Sequence, residues 1–341
     1  MNNYRAVLNT SYAPHSVRAV YSIFNVFVFL RDALRVVDRN ERGQFAELPS
    51  ILLLFTLLLF FSTTLLFSQP LPTTEIFLGE LSVEDGRVIL GEMKNVTQND
   101  GYDNQPWFLP DGMSFLFSSV RADTQADIFR YDIEDDTIVR ITSTPESEYS
   151  PRLMPDGAHI SAVRVEMDGT QRLWKFNLDG SNPEPVLKTI KQIGYYCWVD
   201  TNQVALYILG EPVQLALADI RTEKASTMAN DVGRSLNIIP EVNTLSYVSK
   251  EDDSTWIIRE YTPVLKHSVP IMSALRGSED VAWLPNGTML MGRGSMIYQY
   301  NYNIDSGWEL CADLSGDGIT GITRIAVNPE GDRITIVGEK K

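Results

Sequence analysis

From residue 74 onward the chain alternates between short apolar runs and turn residues. "SFLFSS" (114–119), "DIFRYDI" (127–133) and "TIVRIT" (137–142) alternate or run apolar over five to seven positions. That period of two predicts half-buried β-strands. "RLWKFNL" (172–178) and "MIYQYNY" (296–302) have the same character further along. No stretch after residue 70 carries a 3.6-residue apolar period, so an all-β domain is expected there.

The turns between the runs repeat. "FLPDGMSF" (108–115), "LMPDGAHI" (153–160), "WLPNGTML" (283–290) and "VNPEGDRI" (327–334) share one form. Two drifted copies, "WVDTNQ" and "IPEVNT", complete a series whose Pro slot is held by Pro110, Pro155, Val199, Pro240, Pro285 and Pro329. The spacings are 45, 44, 41, 45 and 44 residues. Two positions before the slot stand Phe108, Leu153, Cys197, Ile238, Trp283 and Val327; five after it stand Phe115, Ile160, Val204, Leu245, Leu290 and Ile334. All twelve are apolar in a chain that is 44% apolar, which marks a true internal repeat. Four short strands per 40–45 residues predict the blade of a β-propeller. The last copy leaves room for only two strands, "TRIAVN" and "RITIVGE". The missing pair lies at the front, "TEIFLGEL" (74–81) and "RVILGEM" (87–93). The expected fold is a six-bladed β-propeller whose last blade is completed by N-terminal strands, which would remove open sheet edges.

The aromatic-x-Pro-Asp-Gly turn followed by an apolar strand, in "PWFLPDGMSFLF", "SPRLMPDGAHISAV", "VAWLPNGTMLM" and "IAVNPEGDRITIV", resembles the propeller repeat of the TolB family. The resemblance covers residues 74–339. It implies the fold and says little of function, because similar repeats occur beside peptidase domains and in some sugar lyases. The small α/β domain that precedes the TolB propeller has no counterpart before "TEIFLGEL", and no hydrolase domain follows. No Tol partner motif carries over.

Ahead of the repeats, "ILLLFTLLLFFSTTLLF" (51–67) is a charge-free run of 17 residues, followed by the small, polar, Pro-broken "SQPLPTTE". This has the form of an export-signal core and processing zone. Arg31, Arg35, Arg39 and Arg42 lie upstream, which places the start in the cytoplasm and the remainder outside it. The expected organisation is an extension at 1–50, a signal peptide or uncleaved signal anchor at 51–69, and the propeller at 70–341; either the start site is assigned too early or the run is an uncleaved anchor. The protein is then periplasmic or extracellular, or held in the inner membrane by 51–67. "AVYSIFNVFVFL" (19–30) is too short to span.

Composition narrows the function. The chain carries 29 basic and 44 acidic residues, a net −15. Residues 1–69 hold six Arg and four acids, leaving the remainder at −17. Such a surface repels phosphate backbones, so nucleic acid is not an expected partner. The two cysteines, Cys197 and Cys311, fall on different radii two blades apart, and no disulfide is expected.

Catalytic signatures are sparse. His15 precedes the export segment and His159 and His267 lie two blades apart in the repeat, which argues against a histidine-rich metal site. "GRGSMI" (292–297) has no following helix and is not a nucleophile elbow. "DLSGDGIT" opens like a calcium loop with Asp313, Ser315 and Asp317, but Arg324 stands where the closing Glu is needed. No cofactor is implied. A ligand is expected at the channel mouth on the face that carries the non-repeating loops. The candidates are Tyr102, Asp103, Glu148, Tyr149, Arg234, Asp280 and Arg324. Their mix of charge and phenol suits recognition of a protein, peptide or glycan. The first reading is a monomeric, non-catalytic binding or scaffold protein of the cell envelope. Two others remain: a propeller enzyme acting on a glycan or peptide, with Glu148 and Asp280 as acid and base, and a membrane-anchored sensor ectodomain.

Overall fold

Each Pro-Asp-Gly copy closes on itself. The Gly112, Gly157, Gly287 and Gly331 amides donate to the carbonyls of Leu109, Met154, Leu284 and Asn328, each at 3.0 Å. These glycines have φ between 64° and 79°, which side chains with a Cβ rarely adopt. The acidic or amide residue adds a second lock. Asp111 Oδ1 accepts the amides of Met113 and Ser114, and Asp156 Oδ1 those of Ala158 and His159. In the drifted copies Asp200 Oδ1 accepts from Asn202 and Gln203, and Asn243 takes the left-handed backbone at φ 52°. The same reversal is therefore made with different residues.

The structure is a computed structural model and describes residues 71–121, 125–240 and 242–340. The expectations for 1–50 and 51–69 lie outside the described residues. Among the described residues no helix is long and apolar enough to cross a membrane.

The turns join strands into six antiparallel sheets. Blade 1 holds Tyr102–Phe108, Ser114–Val120, Asp127–Asp132 and Thr137–Arg140. Blade 2 holds Ser147–Leu153, His159–Val165, Gln171–Asn177 and Glu184–Pro185. Blade 3 runs from Ile193–Trp198 to Lys224–Asn230, blade 4 from Val232–Ile239 to His267–Ser273, and blade 5 from Ala282–Trp283 to Glu309–Asp313. The sixth sheet pairs Ile319–Val327 with Arg333–Lys340, which pairs in turn with Glu75–Glu84. Arg87–Leu90 and Lys94–Asn95 both lie against the far side of Glu75–Glu84. The first strand of each blade contributes to one central cavity, so these six strands are innermost.

The second apolar column of the repeat is the core. Phe115, Ile160, Val204, Leu245, Leu290 and Ile334 are all buried. In blade 1, Phe115 meets Phe108 edge-on at 5.5 Å and Tyr131 at 5.2 Å, a geometry that adds to simple area burial. The first column divides. Phe108 and Cys197 are buried and Leu153, Ile238, Trp283 and Val327 half-buried, and all six border the central cavity. An apolar position there is part core and part channel wall. Both cysteines are free; Cys197 is buried and Cys311 half-buried.

The helix-free expectation has one small exception. "LSGD" (Leu314–Asp317) forms a single 3-10 turn, capped by the Asp313 carboxylate, which accepts the Ser315 amide at 3.0 Å and the Ser295 hydroxyl at 2.8 Å. The calcium-like spelling is thus a capped turn, with Asp313 committed to its own chain. Among the described residues no three His, Cys, Asp or Glu side chains converge as a metal site would require.

Candidate functional site

The axis of the ring encloses a cavity of about 490 Å³, within the usual range of ligand pockets, about 300–1,000 Å³. Its lining changes along the axis. Toward the loop face stand Gln105, Ser150, Tyr195, Arg234, Asp280 and Arg324. Trp107, Arg152 and Asn237 follow at mid-depth, three positions before the Pro slot. Toward the turn face the wall becomes Leu153, Ile238, Trp283 and Val327, ending at Pro240, Pro285 and Pro329.

The loop end is crossed by side chains. Arg324 of blade 6 places its guanidinium 5.1 Å from the ring centre of Tyr195, on the opposite blade 3. The same arginine donates to Asn104 Oδ1 at 2.8 Å and lies 3.4 Å from Asp280 Oδ1. Asp280 also accepts the Ile325 amide at 2.9 Å. Arg234 of blade 4 donates to the Thr323 carbonyl at 3.0 Å and faces Glu279 at 3.8 Å. Glu279 is shared with Lys250 at 2.8 Å. Tyr102 and Tyr149 meet edge-on at 6.2 Å. The Arg324–Tyr195 contact therefore joins opposite blades across the ring at that level.

The electrostatics follow from burial. Burial raises the Asp280 carboxyl against the pull of Arg324 and Arg234. Its neighbour Glu279 is held low, since Arg234 and Lys250 outweigh its burial. Burial likewise pushes the Tyr102 and Tyr149 phenols up, so both are neutral donors at ordinary pH.

Of the seven residues singled out from sequence, the structure brings five together at this end: Tyr102, Tyr149, Arg234, Asp280 and Arg324. Only the last three line the cavity. They form a floor and not an open mouth. The other two go elsewhere, for a structural reason. Glu148 is fully buried between blades 1 and 2. Its amide donates to the Ala126 carbonyl at 2.8 Å, and its carboxylate accepts the Thr142 and Thr144 hydroxyls at 3.1 and 2.5 Å, with Arg164 at 3.5 Å. Asp103, equally buried, takes Asn99 at 3.0 Å and Arg121 at 3.7 Å, and its backbone pairs with Thr74. Burial raises Glu148 to about 7 and Asp103 to about 6. Raised carboxyls often mark function, but these two are tied to neighbouring strands and loops and do not line the central cavity. Glu148 and Asp280 therefore do not share a pocket, as an acid–base pair must.

The sequence candidates did not include several residues of the site, among them Arg152, Tyr195, Trp107 and Trp283. Trp283 stood in the apolar column and read as core. Arg152 had a signal of its own. At three positions before the slot the copies read Trp107, Arg152, Tyr196, Asn237, Ala282 and Ala326, with one charge among six.

No known family profile matches the chain. Its shape, however, is that of known propellers. A putative TolB from Agrobacterium tumefaciens superposes with a TM-score of 0.60 at 14% identity, over 78% of this chain and 99% of that one. TolB from Acinetobacter baumannii superposes at 0.51 and 12% identity, over 78% of this chain; the match spans only 64% of that protein's length. A chain of a nidogen–laminin complex gives 0.53 at 10% identity, over 78% and 98%. The structural neighbours include TolB propellers, and the likeness is one of fold.

Proposed function

We propose that this chain is an exported, non-catalytic binding protein of the cell envelope, and that its central cavity holds part of a protein, peptide or glycan partner. The observation that carries this reading is the cavity itself. It has a polar floor of arginines and tyrosine, an aromatic and aliphatic wall, and an end bordered by the constructional turns. Among the described residues Asp280 is the one carboxylate in its lining, and Asp280 is held by Arg324 and a backbone amide. That arrangement supports recognition more than hydrolysis. Export rests on the apolar run at 51–67; in the second form of the reading that run stays uncleaved and anchors the propeller at the membrane.

A photo-crosslinking residue placed at Val327, on the cavity wall, tests the site in cells. The control carries it at Met167, in a loop of the opposite face and 78% exposed. A discrete adduct from position 327 and none from 167 is the expected result. Equal labelling from both positions, or none from either, refutes a cavity-borne partner. Fractionation with an N-terminal tag separates the cleaved from the anchored form.

A further inference from the structure

We propose that the cavity is a carboxylate receptor, taking the free C-terminus of an extended peptide onto Arg152 with the preceding residues against the apolar wall. This rests on the reading of the cavity as the binding site and names what enters it.

The first argument is charge. The lining holds three arginines and one aspartate in a protein of net charge −15. Two of the arginines have carboxylate neighbours, Arg234 with Glu279 and Arg324 with Asp280. Arg152 has none within 4.0 Å among the described residues. It donates to the Leu236 carbonyl at 3.3 Å and to the Cys197 thiol at 3.7 Å, and its guanidinium lies 5.8 Å from the Tyr196 ring centre; none of these partners carries a counter-charge. A guanidinium has five N–H groups in a planar fork that matches a carboxylate. Leaving such a charge half-buried without a counter-ion is unfavourable, and an incoming carboxylate relieves it.

The second argument is the surplus of donors. Trp107 stands at the same depth as Arg152, and its indole N–H makes no hydrogen bond to a described residue. Arg234 Nε is buried at the floor with no acceptor within hydrogen-bond distance, the Glu279 carboxylate standing 3.8 Å away. Donors without close acceptors on a cavity wall point to an acceptor-rich ligand.

The third argument is topological. The Arg324–Tyr195 contact crosses the ring and obstructs the loop end, which favours a chain that enters from the turn face and ends inside. Of the two chain termini, the arginines repel the ammonium and attract the carboxylate. The wall it passes, Leu153, Ile238, Trp283 and Val327, favours apolar residues just before the terminus.

The test uses two random hexapeptide pools that differ only at the C-terminus, one free acid and one amide, captured on the immobilised protein. The expected result is at least tenfold greater retention of the free-acid pool, enriched in apolar residues at the last positions. Arg152→Gln should abolish that preference and Arg152→Lys should keep part of it, with melting temperatures recorded for both. Equal retention of the amide pool refutes the carboxylate receptor but leaves the cavity as a binding site. Retention unchanged by Arg152→Gln refutes the role of Arg152. Displacement of the peptides by a uronic-acid disaccharide at lower concentration than any peptide overturns the peptide assignment. No retention of either pool, together with no adduct from position 327, overturns this inference and the proposed function alike.

Discussion

Replacing Glu148 with Gln separates a strand clamp from a solvent-facing acid. Burial displaces the Glu148 carboxyl from 4.5 to about 7, so the folded protein holds a proton that the unfolded chain has lost. The folded state then binds more protons than the unfolded one between those values, and stability falls as pH rises through that window. Each pH unit of displacement corresponds to about 1.4 kcal/mol. Integrating from pH 5 to pH 8 gives a loss of about 2.5 kcal/mol from this one group. Glutamine keeps the carbonyl that accepts from Thr142 or Thr144 and cannot ionise. The variant starts with its own offset, because its amide nitrogen needs an acceptor where a lone pair stood. Its pH dependence is nevertheless flatter. Urea unfolding followed by tryptophan fluorescence at pH 5, 6, 7 and 8 measures this directly. The difference in stability between Glu148→Gln and the parent should move by about 2.5 kcal/mol in favour of the variant across the range. Parallel profiles would show that the carboxylate is hydrated, and the clamp with its buried hydroxyl pair would be refuted.

Other outcomes follow from the same geometry. Asp103→Asn should flatten the profile too, by a smaller amount, because Asp103 is raised to only about 6; equal slopes in parent and variant contradict its burial. Gly180→Ala puts a Cβ at φ 81° against the Ile141 carbonyl, whereas Gly157→Ala at φ 68° meets nothing within 4 Å. The second should cost about 1 kcal/mol from the left-handed backbone alone and the first clearly more, compared by melting temperature. Burial pushes the Cys311 thiol up to about 12 and raises Cys197, so both should react with a thiol reagent at pH 8 far more slowly in the native protein than in urea. Rapid native labelling of either contradicts this. Arg324→Ala removes the contact across the ring, and a quencher such as iodide should then reach the cavity tryptophans more readily.

Much of the ring was legible from local chemistry. A Pro-Asp-Gly reversal and an apolar residue five positions later are decided within a few residues, so copies such as Pro110 with Phe115 and Pro285 with Leu290 declare themselves in the sequence. Even the drifted copies kept the apolar columns, because strand pairing tolerates a changed turn more readily than a lost core residue. The site was less legible. In the sequence Glu148 and Asp280 fall in stretches of similar polarity, and nothing local says that one is enclosed between blades while the other lines the axis.

What the amino-acid order determined by itself is the repeat: the turn, the period-two strands and the count of six. The tertiary structure alone decided which side chains meet on the axis. Asn104 and Arg324 are 220 residues apart yet touch at 2.8 Å, and Arg324 reaches Tyr195 only because the ring sets their blades face to face. A pattern read along the chain encodes which face of a strand is apolar. It does not encode radius, and radius separates a core leucine from one on the channel wall. It also distinguishes an arginine with a carboxylate beside it from Arg152, which has none.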